Sequence, residues 1–153
     1  MEKKVLLFLA LLIFSFHYCT NSILIYKTEL KEAKVNTRLI NKTFNNKVYA
    51  IKVSVGENFL GKITSVNLEI MNDYDNKLYN ILLSNKEKLN EKFKIFISSI
   101  NSIKHVGTTT SISPVSSTGS CLSTCNKKWD CYNQPTNAGV LLCASDCIIE
   151  CTS

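Results

Sequence analysis

Hydrophobic and polar residues alternate most clearly over residues 46–55, where Tyr49, Ile51, Val53 and Val55 fall on one side and Lys52 and Ser54 on the other. That period of two predicts a half-buried strand, ended by Gly56. After Gly61, the residues Val66, Leu68 and Ile70 alternate with Asn67 and Glu69, a second possible strand whose residues would equally begin a helix. From Asp73 the period lengthens. Leu78, Ile81, Leu82, Leu89, Phe93, Phe96, Ile97 and Ile100 recur at steps of three and four, which predicts two helices over about 73–83 and 85–104. Ser84 and Glu87 stand three apart, as in a capping box that starts the second helix. Upstream, Leu30, Ala33, Val35, Leu39, Ile40 and Phe44 line one side of a helix placed from about Lys27 to Ile40. Residues 107–120 contain only Ile112 and Val115 besides Gly, Ser, Thr and Pro, a composition that predicts a flexible linker.

The last stretch is organised by cysteine. Six of the seven cysteines lie at 121, 125, 131, 143, 147 and 151. Spacings of four put Cys121 and Cys125 on one face of a helix, and Cys143, Cys147 and Cys151 on one face of another. Pro135 breaks the chain between them, and Thr136 or Asn137 caps the second helix. Two helices joined by a short turn pack antiparallel. That geometry predicts the nested pairing 121–151, 125–147 and 131–143, one of fifteen connectivities that six cysteines allow and among which sequence alone does not decide. Cys131 turns off the shared face, so the first helix must end before it. The fold expected is mainly α with a minor β element. It comprises a small α+β body (23–106), the linker (107–120) and a disulfide-stapled helical hairpin (121–153). Each bridge adds about 2–4 kcal/mol to a unit too small for a core of its own.

Composition adds a compartment. Lys3 and Lys4 precede the apolar run Val5–Phe14, the layout of a secretory signal over residues 1–22 that is too short to span a bilayer. A cut after Ser22 removes Cys19 and leaves an even set of cysteines, as in an oxidised, secreted, soluble protein. The competing reading, a lipoprotein acylated at Cys19, lacks the small residues that precede such a cysteine. The net charge is +6, and Glu2, Lys3 and Lys4 take away one of these, leaving +5. The cysteine-rich tail sums to −1, so the positive charge lies in the body, interleaved with acids and asparagines as on solvated faces. This pattern argues against nucleic-acid binding. The abundance of Asn, Lys and Ile reads as a mark of an AT-rich genome. Asn41-Lys42-Thr43 fits the N-glycosylation sequon.

Chemistry for catalysis is sparse. His17 falls in the signal and His105 ends a helix without partners, so no catalytic residue, cofactor or small-molecule substrate is expected. Zinc held by the cysteines is the rival to disulfides, but the gaps are three residues rather than two and no histidine is near. Trp129 and Tyr132 flank the hairpin turn, where they serve either as a partner-binding pair or as a cover for the bridges.

The segment Tyr79-Asn80-Ile81-Leu82-Leu83-Ser84-Asn85-Lys86-Glu87-Lys88 has an aromatic residue, then Leu-Ser, then Glu-Lys. With the signal, helical body and cysteine-rich tail, it resembles exported bacterial proteins related to the bacteriocin fulvocin C. The signal, a disposable body, a cuttable linker and a compact stapled tail fit a secreted, bacteriocin-like precursor acting on a protein or membrane target, its tail released by cleavage at the linker. The alternative is a non-catalytic exported interaction protein that keeps the tail as a permanent structural module.

Overall fold

The computed structural model describes residues 21–101 and 121–152. The linker over 107–120, His105, Cys19 and most of the signal lie outside the described residues. Asn21 and Ser22, assigned to the signal by the cut after Ser22, are the first two residues of a strand.

Four strands, β1 (Asn21–Lys27), β2 (Lys34–Phe44), β3 (Lys47–Glu57) and β4 (Ile63–Met71), form one antiparallel sheet in the order β1-β4-β3-β2. Helices follow: α1 (Lys77–Ser84), α2 (Lys86–Asn101), α3 (Cys121–Lys128), a short 3-10 turn (Cys131–Asn133) and α4 (Asn137–Glu150). The expectation of a mainly α chain with a minor β element is therefore overturned. Among the described residues strand accounts for 34% and helix for 43%, an α+β fold. The helix placed over Lys27–Ile40 is the end of β1, a loop and half of β2.

The reason lies in the position of β2. Its register with β3 places Asn36, Arg38, Ile40, Lys42 and Phe44 on the inner face, and of these only Ile40 and Phe44 are apolar. Val35 and Leu39 point outward and are exposed. An edge strand pairs on one side only and carries polar or charged residues toward the core. Its sequence therefore lacks the clean alternation that β3 and β4 show. The β2–β3 hairpin turns on Asn45-Asn46, both with positive φ (46° and 61°), the left-handed pair a two-residue primed turn requires. Asn72 (φ 63°) and Asn76 (φ 54°) occupy the same region around the entry to α1. Some of the asparagine content is thus conformational, beyond any compositional bias.

The strand expected over 46–55 forms as β3, and the stretch from Val66 to Ile70, open between strand and helix, is a strand: Tyr49, Ile51, Val53, Val55, Val66, Leu68 and Ile70 are all buried on the inner face. The two predicted helices also form, separated at Asn85. Ser84 closes α1, its hydroxyl donating to the Ile81 carbonyl, instead of capping α2. The N-terminus of α1 is served by the buried Asp73, whose carboxylate accepts from the Leu78 and Tyr79 amides at 3.3 and 2.7 Å.

On the sheet, α2 covers β1 and α4 lies over β3 and β2, the two helices running antiparallel against each other. The α2 residues Leu89, Phe93, Phe96, Ile97 and Ile100 form one buried stripe. In α4 nearly every residue is buried. Val140, Leu141, Ala144 and Ile148 join the inner-face residues of all four strands, with α1 and α2, in a single hydrophobic cluster. Body and tail thus share one core. The outer face of the sheet is open, with exposed Leu24, Val35, Leu39 and Val48 among polar residues and the Lys52–Glu69 pair at 2.9 Å.

Truncating Leu141, fully buried, to alanine should cost about 2–5 kcal/mol. Chemical denaturation should then show strand and helix signals lost in one transition, shifted together. Leu39→Ser, on the open face, should change stability by no more than about 0.5 kcal/mol.

Candidate functional site

Sulfur sets the geometry of the tail. The bridges are Cys121–Cys151, Cys125–Cys147 and Cys131–Cys143, with Cα separations of 5.8, 5.6 and 5.2 Å. This is the nested order that the spacing predicts for an antiparallel pair. The condition on Cys131 is met by α3 ending at Lys128. Trp129 donates to the Cys125 carbonyl, Asp130 takes a positive φ of 52°, and the 3-10 turn carries Cys131 back toward α4. Thr136 caps α4, its hydroxyl accepting from the Gly139 amide at 3.0 Å. Exposure grades along the ladder. Cys131 and Cys143 are buried, Cys125 is half-buried, and Cys121 is exposed beside half-buried Cys151. Among the described residues no group of His, Cys, Asp or Glu is placed to hold a metal ion.

Trp129 and Tyr132 part company. Tyr132 is half-buried, stacks on Phe96 of α2 with ring centroids 6.0 Å apart, and its hydroxyl accepts from Asn126 at 3.3 Å. It serves the junction between tail and body. Trp129 stays 55% exposed, with the Lys128 ammonium 5.4 Å from its ring.

Two further features escape the sequence reading. The first is a cleft of about 380 Å³ at the C-terminal end of α4, bounded by Lys42, Phe44, Leu78, Leu82, Ile149 and Glu150. Lys42, inward-facing on β2, bridges two acids one turn apart on α4: Asp146 at 2.5 Å and Glu150 at 3.1 Å. Burial works against the ammonium, but hydrogen bonds and charge from Asp146 and Glu150 outweigh it and raise its pKa above the usual lysine value. At the same end Lys92 of α2 donates to the Cys151 carbonyl at 2.6 Å, a cation at a helix C-terminus. Both contacts fasten the tail to the body, and the chemistry of the cleft is that of a clamp. The acids are too far apart in sequence from Lys42 for any local pattern to reveal them.

The second feature is the β3–β4 turn, Asn58 to Lys62. Phe59 and Leu60 stand at its tip, 86% and 80% exposed, more than any other large apolar residue described except Tyr74. The turn is tightly built. Asn58 and Lys62 pair through the Asn58 amide, Gly61 donates to the Asn58 carbonyl, and the Asn58 side chain accepts from the Leu60 and Lys62 amides at 2.9 and 3.0 Å. Gly61 supplies the positive φ of 69°. Its carbonyl accepts from Asn137 at the start of α4, and Ile63 donates to Asn101 at the end of α2. The signal in the sequence is a pair of large apolar residues where a turn before glycine ordinarily carries polar ones.

No protein-family model matches the chain, and no curated protein or solved structure is significantly similar to it.

Under graded reductant with alkylation of freed thiols, Cys121 and Cys151 should label first and Cys131 and Cys143 last. The Lys42 clamp has its own signature. A lysine whose folded pKa is raised contributes stability that is complete below its unfolded pKa of about 10.4 and fades as pH rises through the folded value. Wild type should exceed Lys42→Met by on the order of 1 kcal/mol, discounted for partial exposure, between pH 7 and about pH 10. The margin should shrink above that, as read by urea titrations.

Proposed function

We propose that the protein is exported and acts intact, as a non-catalytic binding protein whose disulfides hold its core together. One observation carries the reading: α4 is at once a strut of the disulfide ladder and the central helix of the body's core. A tail cut loose at the linker would strip that core and carry Val140, Leu141 and Ile148 into water, each worth about 1.5–3 kcal/mol of burial. This weighs against release of a free cysteine-rich peptide. A bacteriocin-like role, in this reading, belongs to the whole chain.

Three structural disulfides support an oxidising compartment outside the cytoplasm, and the apolar start of the chain supplies a route there. Among the described residues no helix is long and apolar enough to cross a membrane.

The test is a protease site placed within residues 107–120 of the full chain. After complete cleavage, the two pieces should co-elute on native gel filtration and separate only in denaturant. Pieces that part under native conditions, or a mature mass outside the producing cell equal to the tail alone, would overturn the reading.

A further inference from the structure

A tip made of phenylalanine and leucine is costly to display in water, and this one is displayed on a turn with no slack. Four of its five amides, those of Asn58, Leu60, Gly61 and Lys62, are bonded within the turn. The Gly61 carbonyl is taken by Asn137 and the next amide, of Ile63, by Asn101. The base is therefore anchored to both long helices, and Phe59 and Leu60 do not fold back onto the protein.

The surroundings are basic. The β1–β2 connection crosses the same end of the sheet, held there by the Thr28 amide on the Thr64 carbonyl and the Ala33 amide on the Glu57 carbonyl. It puts exposed Lys27, Leu30 and Lys31 at the same end of the sheet as exposed Lys62. The acids at this end are mostly occupied. Glu57 is buried and lies 3.9 Å from Lys34, and the Glu32 carboxylate is folded over Gly56, accepting from the Ser65 hydroxyl at 2.5 Å. The serine hydroxyl leaves the Glu32 charge in place, so Glu29 and Glu32 stand against Lys27, Lys31 and Lys62, and this end keeps a net charge of +1.

We propose that the Phe59–Leu60 turn docks this protein onto an anionic membrane surface, the two side chains entering the interface and Lys27, Lys31 and Lys62 meeting the headgroups. The inference rests on the reading of an exported binding protein and names its partner. Charge complementarity selects the anionic surface. Two details favour a bilayer over a protein pocket. The tip is convex and needs no matching cavity, because acyl chains rearrange around it. Four of its five amides are already bonded within the turn, which lowers the cost of bringing this backbone to a medium poor in hydrogen-bonding partners.

The experiment is co-sedimentation of the full-length oxidised protein with vesicles of phosphatidylglycerol and phosphatidylcholine, and with phosphatidylcholine alone. Protein oxidised in vitro serves as well as protein collected from medium. Failure of export therefore reads separately from failure of docking. Binding to the anionic vesicles should weaken about 100-fold in the Phe59→Ser/Leu60→Ser variant. Each of Lys31→Gln and Lys62→Gln should weaken it about fivefold, and added salt should do the same progressively. Both apolar positions are exposed, so near-ultraviolet circular dichroism should show the fold unchanged. Absence of binding to anionic vesicles would overturn the proposal. So would undiminished binding by the double serine variant, equal binding to both vesicle types, or a protein captured through Phe59 and Leu60 while vesicles are ignored.

Discussion

Everything in this fold leans on one helix being buried from two directions. On one side α4 presents Cys147 to α3 and Cys143 to the 3-10 turn that follows it. On its other sides Leu141, Ala144 and Ile148 meet the sheet and α2. A helix with a single apolar stripe needs one neighbour, but one apolar nearly all round must be enclosed. The sheet and α2 enclose it on the body side, and the bridged α3 with its 3-10 turn on the other. Two weakly cored parts become one structure in this way. A sheet open on its outer face and a helix pair of some thirty residues would each bury too little apolar surface to stand alone.

The polar contacts reinforce the same junction. Lys42 ties β2 to Asp146 and Glu150 near the end of α4, and Lys92 ties α2 to the carbonyl of Cys151. At the opposite end Asn137 holds the β3–β4 turn. Each of these joins residues more than fifty positions apart. The tail is consequently held at both ends by charge-assisted or backbone-directed bonds, and along its length by apolar contact. Such an arrangement leaves surface loops as the parts free to meet a partner. The most exposed of the built ones carries Phe59 and Leu60.

How much of this was legible in the residues follows from the range of each interaction. Spacing of four between cysteines is a local fact about helices, and antiparallel packing turns it into a nested ladder. Central strand β3 advertises itself because one face is wholly buried, whereas the shorter alternation of β4 is shared with the start of a helix. The edge strand β2 does not advertise itself, since only Ile40 and Phe44 of its inward positions are apolar and its outward Val35 and Leu39 mimic a helical stripe. Asn45-Asn46 held the missing clue, a pair that tolerates positive φ between two extended runs.

From the chain alone came the expectation of a nested disulfide ladder, the strand β3, the α1 and α2 stripes and a cap at Thr136 or Asn137, all set by periods and spacings within a few residues. Tertiary structure alone decided that β1 and β2 complete a four-stranded sheet, that α4 belongs to the body's core, and that Lys42 finds Asp146. These depend on which surfaces meet after folding, and burial against a distant neighbour leaves no periodic trace in the sequence of either partner.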